Sequence, residues 1–175
     1  HLRGVVISHG HEDHIGAVPY VISQLEVPIY TTGFAAALIR RRLKERNQEN
    51  DTAIHVVSPN EKITLGCFEI EFIHVTHSIA DAVALAIETP LRTVIHTADF
   101  KIDQTPIGEK PFDLHALSKY GQRGVLLLLS DSTNAEWQGF TPSERAVRPR
   151  LEELFAHSRN TLFLTCFSSS THRVQ

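Results

Sequence analysis

The 175-residue sequence predicts an α/β fold. Three observations carry that expectation. Runs of β-branched residues alternate with helical patterning over residues 2–48, five strand patterns follow one another between residues 53 and 97, and strand–helix alternation resumes after residue 124. With 42% hydrophobic residues, the chain can bury one full core and begin a second.

Taken in order, "LRGVVIS" (2–8) reads as a buried strand and "IGAVPYVISQL" (15–25) as a helix whose Pro19 falls early enough to be tolerated. "VPIYTT" (27–32) is a short strand. "FAAALIRRRLKERNQ" (34–48) is an amphipathic helix, apolar on one side and carrying Arg40, Arg41, Arg42, Lys44 and Arg46 towards water. Such a basic run ordinarily forms a solvated face, with RNA contact as the alternative. The strand patterns "AIHVV", "KITL", "FEIEFIHV", "VALAIET" and "RTVIHT" then succeed one another, separated by the turn-like "SPNE", "HSIAD" and "TPL". "GVLLLLS" (124–130) is a further strand. A helix entry follows, with Thr141 as N-cap, Pro142 as first helical residue and Glu144 as capping-box partner. "NTLFLTCF" (160–167) reads as a strand and "SSSTHRVQ" as a loop entering another helix. The best boundary lies near residues 132–141, dividing a first domain, 1–135, from a second, 136–175.

The net charge of −3 supplies no global basic footprint, so nucleic-acid binding has to be argued from a site. "VLLLL" (125–129), the longest apolar stretch, is far short of the roughly 20 residues of a membrane span. No membrane partner and a cytoplasmic location are expected. Cys67 and Cys166 lack any CxxC partner, which argues against a zinc ribbon or disulfide framework and for buried free thiols. From the absence of methionine and a bulky His1 at the start, the chain is expected to be an internal fragment of a longer protein.

The chemistry is concentrated in "VVISHGHEDHIGA" (5–17). His9, His11, Asp13 and His14 follow a strand and precede a helix, so they share one short loop at a sheet edge. Imidazole and carboxylate suit zinc or manganese, and four candidate ligands exceed what one tetrahedral catalytic metal takes from such a turn. Two metals are therefore expected; a histidine-rich polar loop is the plain alternative. Further ligands should also sit where strands end. His77 follows "FEIEFIHVT" and Asp99 follows "RTVIHTA", whereas His74 and His96 lie within strand runs and are expected to be packed or hydrogen-bonded there.

"HGHEDH", "THS" and "ADF", in that order, resemble the metallo-β-lactamase-fold hydrolases, whose pattern is HxHxDH, a lone histidine and a bridging aspartate. "ISHGHEDHIGAVPYV", "THSIADA", "HTADFKID", "LLLLSDSTNAE" and "FSSSTHRVQ" are similar to the successive signatures of the β-CASP nucleases, in particular the ribonuclease J family. The similarity covers essentially the whole chain. It implies a metallo-β-lactamase αββα sandwich, incomplete at both ends, with the beginning of a β-CASP domain.

It further implies that His9, His11 and His77 hold one divalent metal, that Asp13 and His14 hold a second, and that Asp99 bridges the two. Zn2+ is the expected ion, with Mn2+ as the alternative. Asp13 and Asp131 are the carboxylates on which catalysis is expected to depend. Asp13 acts through its metal, and Asp131 matches the family's carboxylate motif and would position a proton donor; a turn cap is the alternative for Asp131. Ser168, Ser169 and Ser170, supported by His172 and Arg173, would cradle a phosphate of single-stranded RNA, with an ordinary capped loop as the alternative. Family members commonly carry glycine where Ala98 stands, a small-for-small difference not expected to disturb Asp99. The implied function of the intact protein is a metal-dependent ribonuclease, a 5′ exonuclease with or without endonuclease activity, forming a homo-oligomer; the fragment alone is expected to be inactive. A small-molecule hydrolase of the same superfamily and a non-catalytic RNA-binding subunit are the alternatives.

Overall fold

Two sheets lie face to face in the computed structural model, which describes residues 1–108 and 110–170. The first sheet is parallel, in the order β1 (Val5–Val6), β2 (Ile29–Thr31), β3 (Ile54–Val56). Its connections carry α1 (Glu12–Ile15), α2 (Val18–Leu25) and α3 (Gly33–Lys44). The second sheet begins as an antiparallel meander of β4 (Lys62–Leu65), β5 (Phe68–His74), β6 (Val83–Glu88) and β7 (Thr93–His96). After α4 (Leu114–Arg123) crosses over, β8 (Val125–Leu129) joins parallel to β7.

Strand alternation explains the layering. On β5 and β6, Ile70, Phe72, Val83 and Leu85 point one way and pack with Val57 and with Val6 and Tyr30 of the first sheet. The opposite face of the meander offers Ile73, Ala84, Ala86 and Ile95, and receives Phe112, Ala116 and Tyr120 from the α4 region. The small alanines let that helix lie close. On the outer side of the first sheet, Ile7 and Ile29 meet Ile15, Val18, Ile22, Ile39 and Leu43 of α1 to α3. Three apolar interlayers thus separate four layers, helix, sheet, sheet and helix, which is the αββα order the resemblance implies.

Several sequence expectations need correction. The first strand shrinks to two residues because only Val5 and Val6 keep register with β2 before the chain turns away to present His9. The expected 15–25 helix is two helices, α1 closing where Gly16 N donates to Glu12 O at 2.7 Å. The expected 34–48 helix ends at Lys44, and Asn47 then takes a left-handed φ of 57°. Ser143, not Thr141, caps the later helical segment: its hydroxyl accepts from Arg145 N, a 3-10 turn occupies Glu144–Ala146, and α5 runs Val147–His157. "NTLFLTCF" forms no strand; Leu162, Phe163, Leu164 and Phe167 are exposed, with no neighbouring strand among the described residues to pair with. Both cysteines are exposed rather than buried, Cys67 in the β4–β5 turn and Cys166 in that unpaired segment. Among the described residues no helix is long and apolar enough to cross a membrane.

Candidate metal centre

Strand ends from both sheets converge on one edge. The β1–α1 loop brings His9 and His11, and α1 itself brings Asp13 and His14, which the sequence places in the loop; the end of β5 brings His77 and the end of β7 brings Asp99. Donor atoms of His9, His11, His77 and Asp99 all lie within 4.8 Å of one another, as do those of Asp13, His14 and Asp99. Asp99 belongs to both groups. Its Oδ2 stands 3.3 Å from His14 Nε2, 3.7 Å from His9 Nε2 and 3.8 Å from His77 Nε2. His77 Nε2 is 3.0 Å from His11 Nδ1, and Asp13 Oδ2 is 3.5 Å from His14 Nε2. His74 and His96 stay out of both groups: His74 Nε2 bonds Lys110 O, and His96 Nδ1 accepts from Ala98 N.

Local packing sets these positions. His9 is fully buried, and the neighbouring Ser8 hydroxyl bonds its Nδ1 at 3.0 Å, which turns Nε2 towards Asp99. Ser8 O in turn accepts from Val83 N, tying the loop to the second sheet. Between the first two histidines a side chain would be crowded: a Cβ on Gly10 would lie 2.7 Å from Leu38 Cδ1, which would have to move, and 3.3 Å from Ala35 Cα, so α3 packs directly on the loop. At the end of β5, Thr76 O accepts from Lys101 N and the Thr76 hydroxyl donates to Lys101 O, fixing the residue before His77.

The electrostatics favour neutral imidazoles. Burial, and then the nearby His14, His77 and His11, hold His9 at about 3 instead of 6.5. Burial and His11 hold His77 at about 4, against opposing pulls from Asp99 and Asp131. Burial also lowers His11, opposed by Asp13 and Asp99. His9 Nε2 is buried with no hydrogen-bond partner. An unpaired lone pair in a dry site is costly unless something electropositive occupies the space in front of it. A tetrahedral metal with bonds near 2.0–2.1 Å sets its ligand atoms about 3.3 Å apart, and the contacts of 3.0–3.8 Å bracket that value. The donor set therefore fits divalent metal ions, with Asp99 in the shared position.

A cleft of about 530 Å3 opens beside the loop, walled by His11, Asp13, Ser78, Arg42, Ser168 and Ser169 among others. Ser170 does not face it; Ser170 is buried and its N–H donates to Phe167 O, closing the turn. His172 and Arg173 lie outside the described residues. Asp131 sits behind the ligands as a brace. Its Oδ1 accepts from Thr133 N and Oγ1, its Oδ2 faces Phe100 N at 3.5 Å, and its N–H donates to Thr97 Oγ1. Those bonds and His77 outweigh burial and keep its carboxyl below the usual range. Ser8 and Ser78 are not singled out by sequence reasoning, although each adjoins a ligand; Ser78 Oγ lies 3.5 Å from His11 Nε2.

A family model described as Beta-lactamase superfamily domain matches residues 1–137. The chain belongs to the beta-lactamase superfamily. Within it, the chain is similar to a protein named Ribonuclease J from Synechocystis sp., 50% identical over 99% of this chain and 27% of the relative. It is also similar to a Ribonuclease J from Helicobacter pylori, 45% identical over 99% of this chain and 25% of the relative. The chain thus spans about a quarter of the length of these curated relatives. A crystal structure of an Enterococcus faecalis protein of unknown function shares the fold, with a TM-score of 0.71 at 18% identity, covering 99% of this chain and 43% of that one.

Proposed function

We propose that the full-length protein is a metal-dependent ribonuclease that hydrolyses phosphodiester bonds of single-stranded RNA, as a 5′ exonuclease with or without endonuclease activity, in the cytoplasm and as a homo-oligomer. The observation that carries this reading is the convergence of His9, His11, Asp13, His14, His77 and Asp99 on one sheet edge in a chain half identical to a protein named Ribonuclease J.

His9, His11, His77 and Asp99 would hold one divalent cation, and Asp13, His14 and Asp99 a second, Zn2+ or Mn2+. Bound there, such cations polarise phosphoryl oxygens and acidify water. The chain's own side chains supply the rest. With its Nδ1–H donated to Ser8 Oγ, His9 would present an unprotonated Nε2 to a metal. Asp131 holds the Asp99–Phe100 turn, so its effect on catalysis runs through the position of Asp99. Ser168 and Ser169, on the wall of the same cleft, would offer hydroxyl donors to non-bridging phosphate oxygens.

Asp13→Ala in the full-length protein is the test. Cleavage of single-stranded RNA should fall at least about 100-fold while RNA affinity holds, because the carboxylate serves the metal. Wild-type cleavage rates in the variant under strict chelation would refute the two-metal reading. Turnover of a small ester or lactone without any RNA binding would identify a small-molecule hydrolase instead.

A further inference from the structure

The cleft at the metal loop continues past the ligands onto helix α3. Arg41 and Arg42 stand on its wall together with His11, Asp13, Ser168 and Ser169. A second concavity of about 280 Å3, lined by Arg40, Arg41, Lys44, Thr52 and Ile54, adjoins it, and Arg41 belongs to both. The side chains of Ala35, Ala36, Ile39 and Leu43 bury the opposite face of α3, so its cationic face has no other orientation available.

The charge there is strongly asymmetric for a chain whose net charge is −3. Five of its 17 basic residues fall between positions 40 and 46. Four carboxylates share the two concavities with them, Asp13 of the metal cluster among them. Arg42 is held by Glu12 at 2.7 Å and Glu45 at 3.3 Å, Arg41 shares Glu45 at 3.2 Å, and Glu49 lines the second concavity. Arg46 lies over the Tyr20 ring at 3.9 Å. Arg42 and Arg46 are exposed too but are engaged by those carboxylates and by the Tyr20 ring, which leaves Arg40, Arg41 and Lys44 along the path; Arg40 Nη2 reaches Ile54 O at 3.4 Å, and Arg41 is 79% exposed and paired through a surface interaction of little strength.

Resting on the ribonuclease reading, we propose that the α3 face formed by Arg40, Arg41 and Lys44 is a track for the RNA backbone outside the metal centre, receiving the phosphates of nucleotides beyond those at the scissile bond. The spacing supports a chain-like polyanion rather than a single small anion. Two linked concavities share one guanidinium, and cations at 40, 41 and 44 follow one helix face. Such interactions are sequence-independent and add affinity only for RNA long enough to reach them.

The experiment uses the full-length, metal-loaded protein with Arg40→Gln, Arg41→Gln and Lys44→Gln combined. None of the three is placed among the ligands or on the serine turn, and an unchanged melting temperature serves as the folding control. Affinity for a single-stranded RNA of about twenty nucleotides should fall roughly tenfold or more at low salt, and its log–log salt slope should flatten by about 0.7 for each phosphate that is no longer neutralised. Affinity for an RNA of about four nucleotides, and turnover of a small chromogenic phosphodiester, should stay at wild-type values. An unchanged affinity and slope for the long RNA, in an enzyme that cleaves it, overturns the track. Equal losses for long and short RNA overturn it as well, since they place the damage at the centre. A wild-type protein that neither binds nor cleaves RNA overturns the ribonuclease reading and the track together.

Discussion

Acidification of the metal-free protein should remove a large and calculable part of its stability. In the unfolded chain His9 and His77 titrate near 6.5, whereas in the folded protein burial and neighbouring imidazoles hold them at about 3 and about 4. Between these values the unfolded state binds more protons, so stability is fully present above pH 6.5 and is lost as pH falls. Integrated from pH 7.5 to 5.0, each site contributes about 2 kcal/mol, or about 4 kcal/mol together, against a typical total of about 5–15 kcal/mol. His11 shifts in the same direction and adds to the loss. Urea unfolding in the presence of a chelator measures it, through the midpoint and the proton uptake on unfolding, which approaches two or more at pH 5. His77→Asn should reduce the loss by about half. A midpoint that moves by less than the equivalent of about 1 kcal/mol over this range would mean that the imidazoles are not held neutral, and the reasoning from a dry, lone-pair-rich cluster would fail.

Other perturbations test separate links. Ser8→Ala should lower zinc affinity about 10–100-fold by calorimetry with little change in fold, because the His9 tautomer loses its support. Gly10→Ala should destabilise by about 1–3 kcal/mol and weaken metal binding in the same titration, as α3 backbone stands against the new Cβ. Lys101→Ala should cost about 1–3 kcal/mol in denaturant unfolding, since buried Asp103 and part-buried Glu144 lose the cation at 3.7 and 2.8 Å while Asp103 keeps its bonds from Thr105 N and Glu144 N. Asp113→Ala should cost about 1 kcal/mol, the value of an N-cap, here the bond from Ala116 N at 2.9 Å.

Most of the strands are legible because each carries a β-branched run bounded by turn residues, and the meander β4 to β7 matches its sequence patterns to within about a residue. Helix α4 escapes such a reading. Its signals are local and present, Asp113 as cap and Gly124 at a φ of 88° as terminator, but "LHALSKYGQR" has a polar surface and only two fully buried positions, Ala116 and Tyr120. The false strand at 160–167 fails for the opposite reason. Apolar β-prone residues make a strand only where a partner edge is within reach, and sequence pattern carries no information about that.

The converging histidines and aspartates are legible and their supports are not, and the turn at Ala98 shows why. Strand ends can be read one at a time, so His77 and Asp99 are accessible to sequence reasoning, while the forces that aim them come from residues distant in sequence. By sequence Ala98 is a harmless replacement for glycine, yet it takes a left-handed φ of 52°, which costs an L-residue about 1–2 kcal/mol. That strain persists only if the surroundings over-determine the turn. They do: His96 Nδ1 accepts from Ala98 N, Thr97 Oγ1 donates to Ala98 O, Asp131 N donates to Thr97 Oγ1, and Asp131 Oδ2 faces Phe100 N. His96, a rival ligand by sequence, and Asp131, a candidate proton-positioning group, are both recruited to hold one backbone turn. What that turn delivers is Asp99, the carboxylate shared by both clusters of side chains that could hold a metal ion.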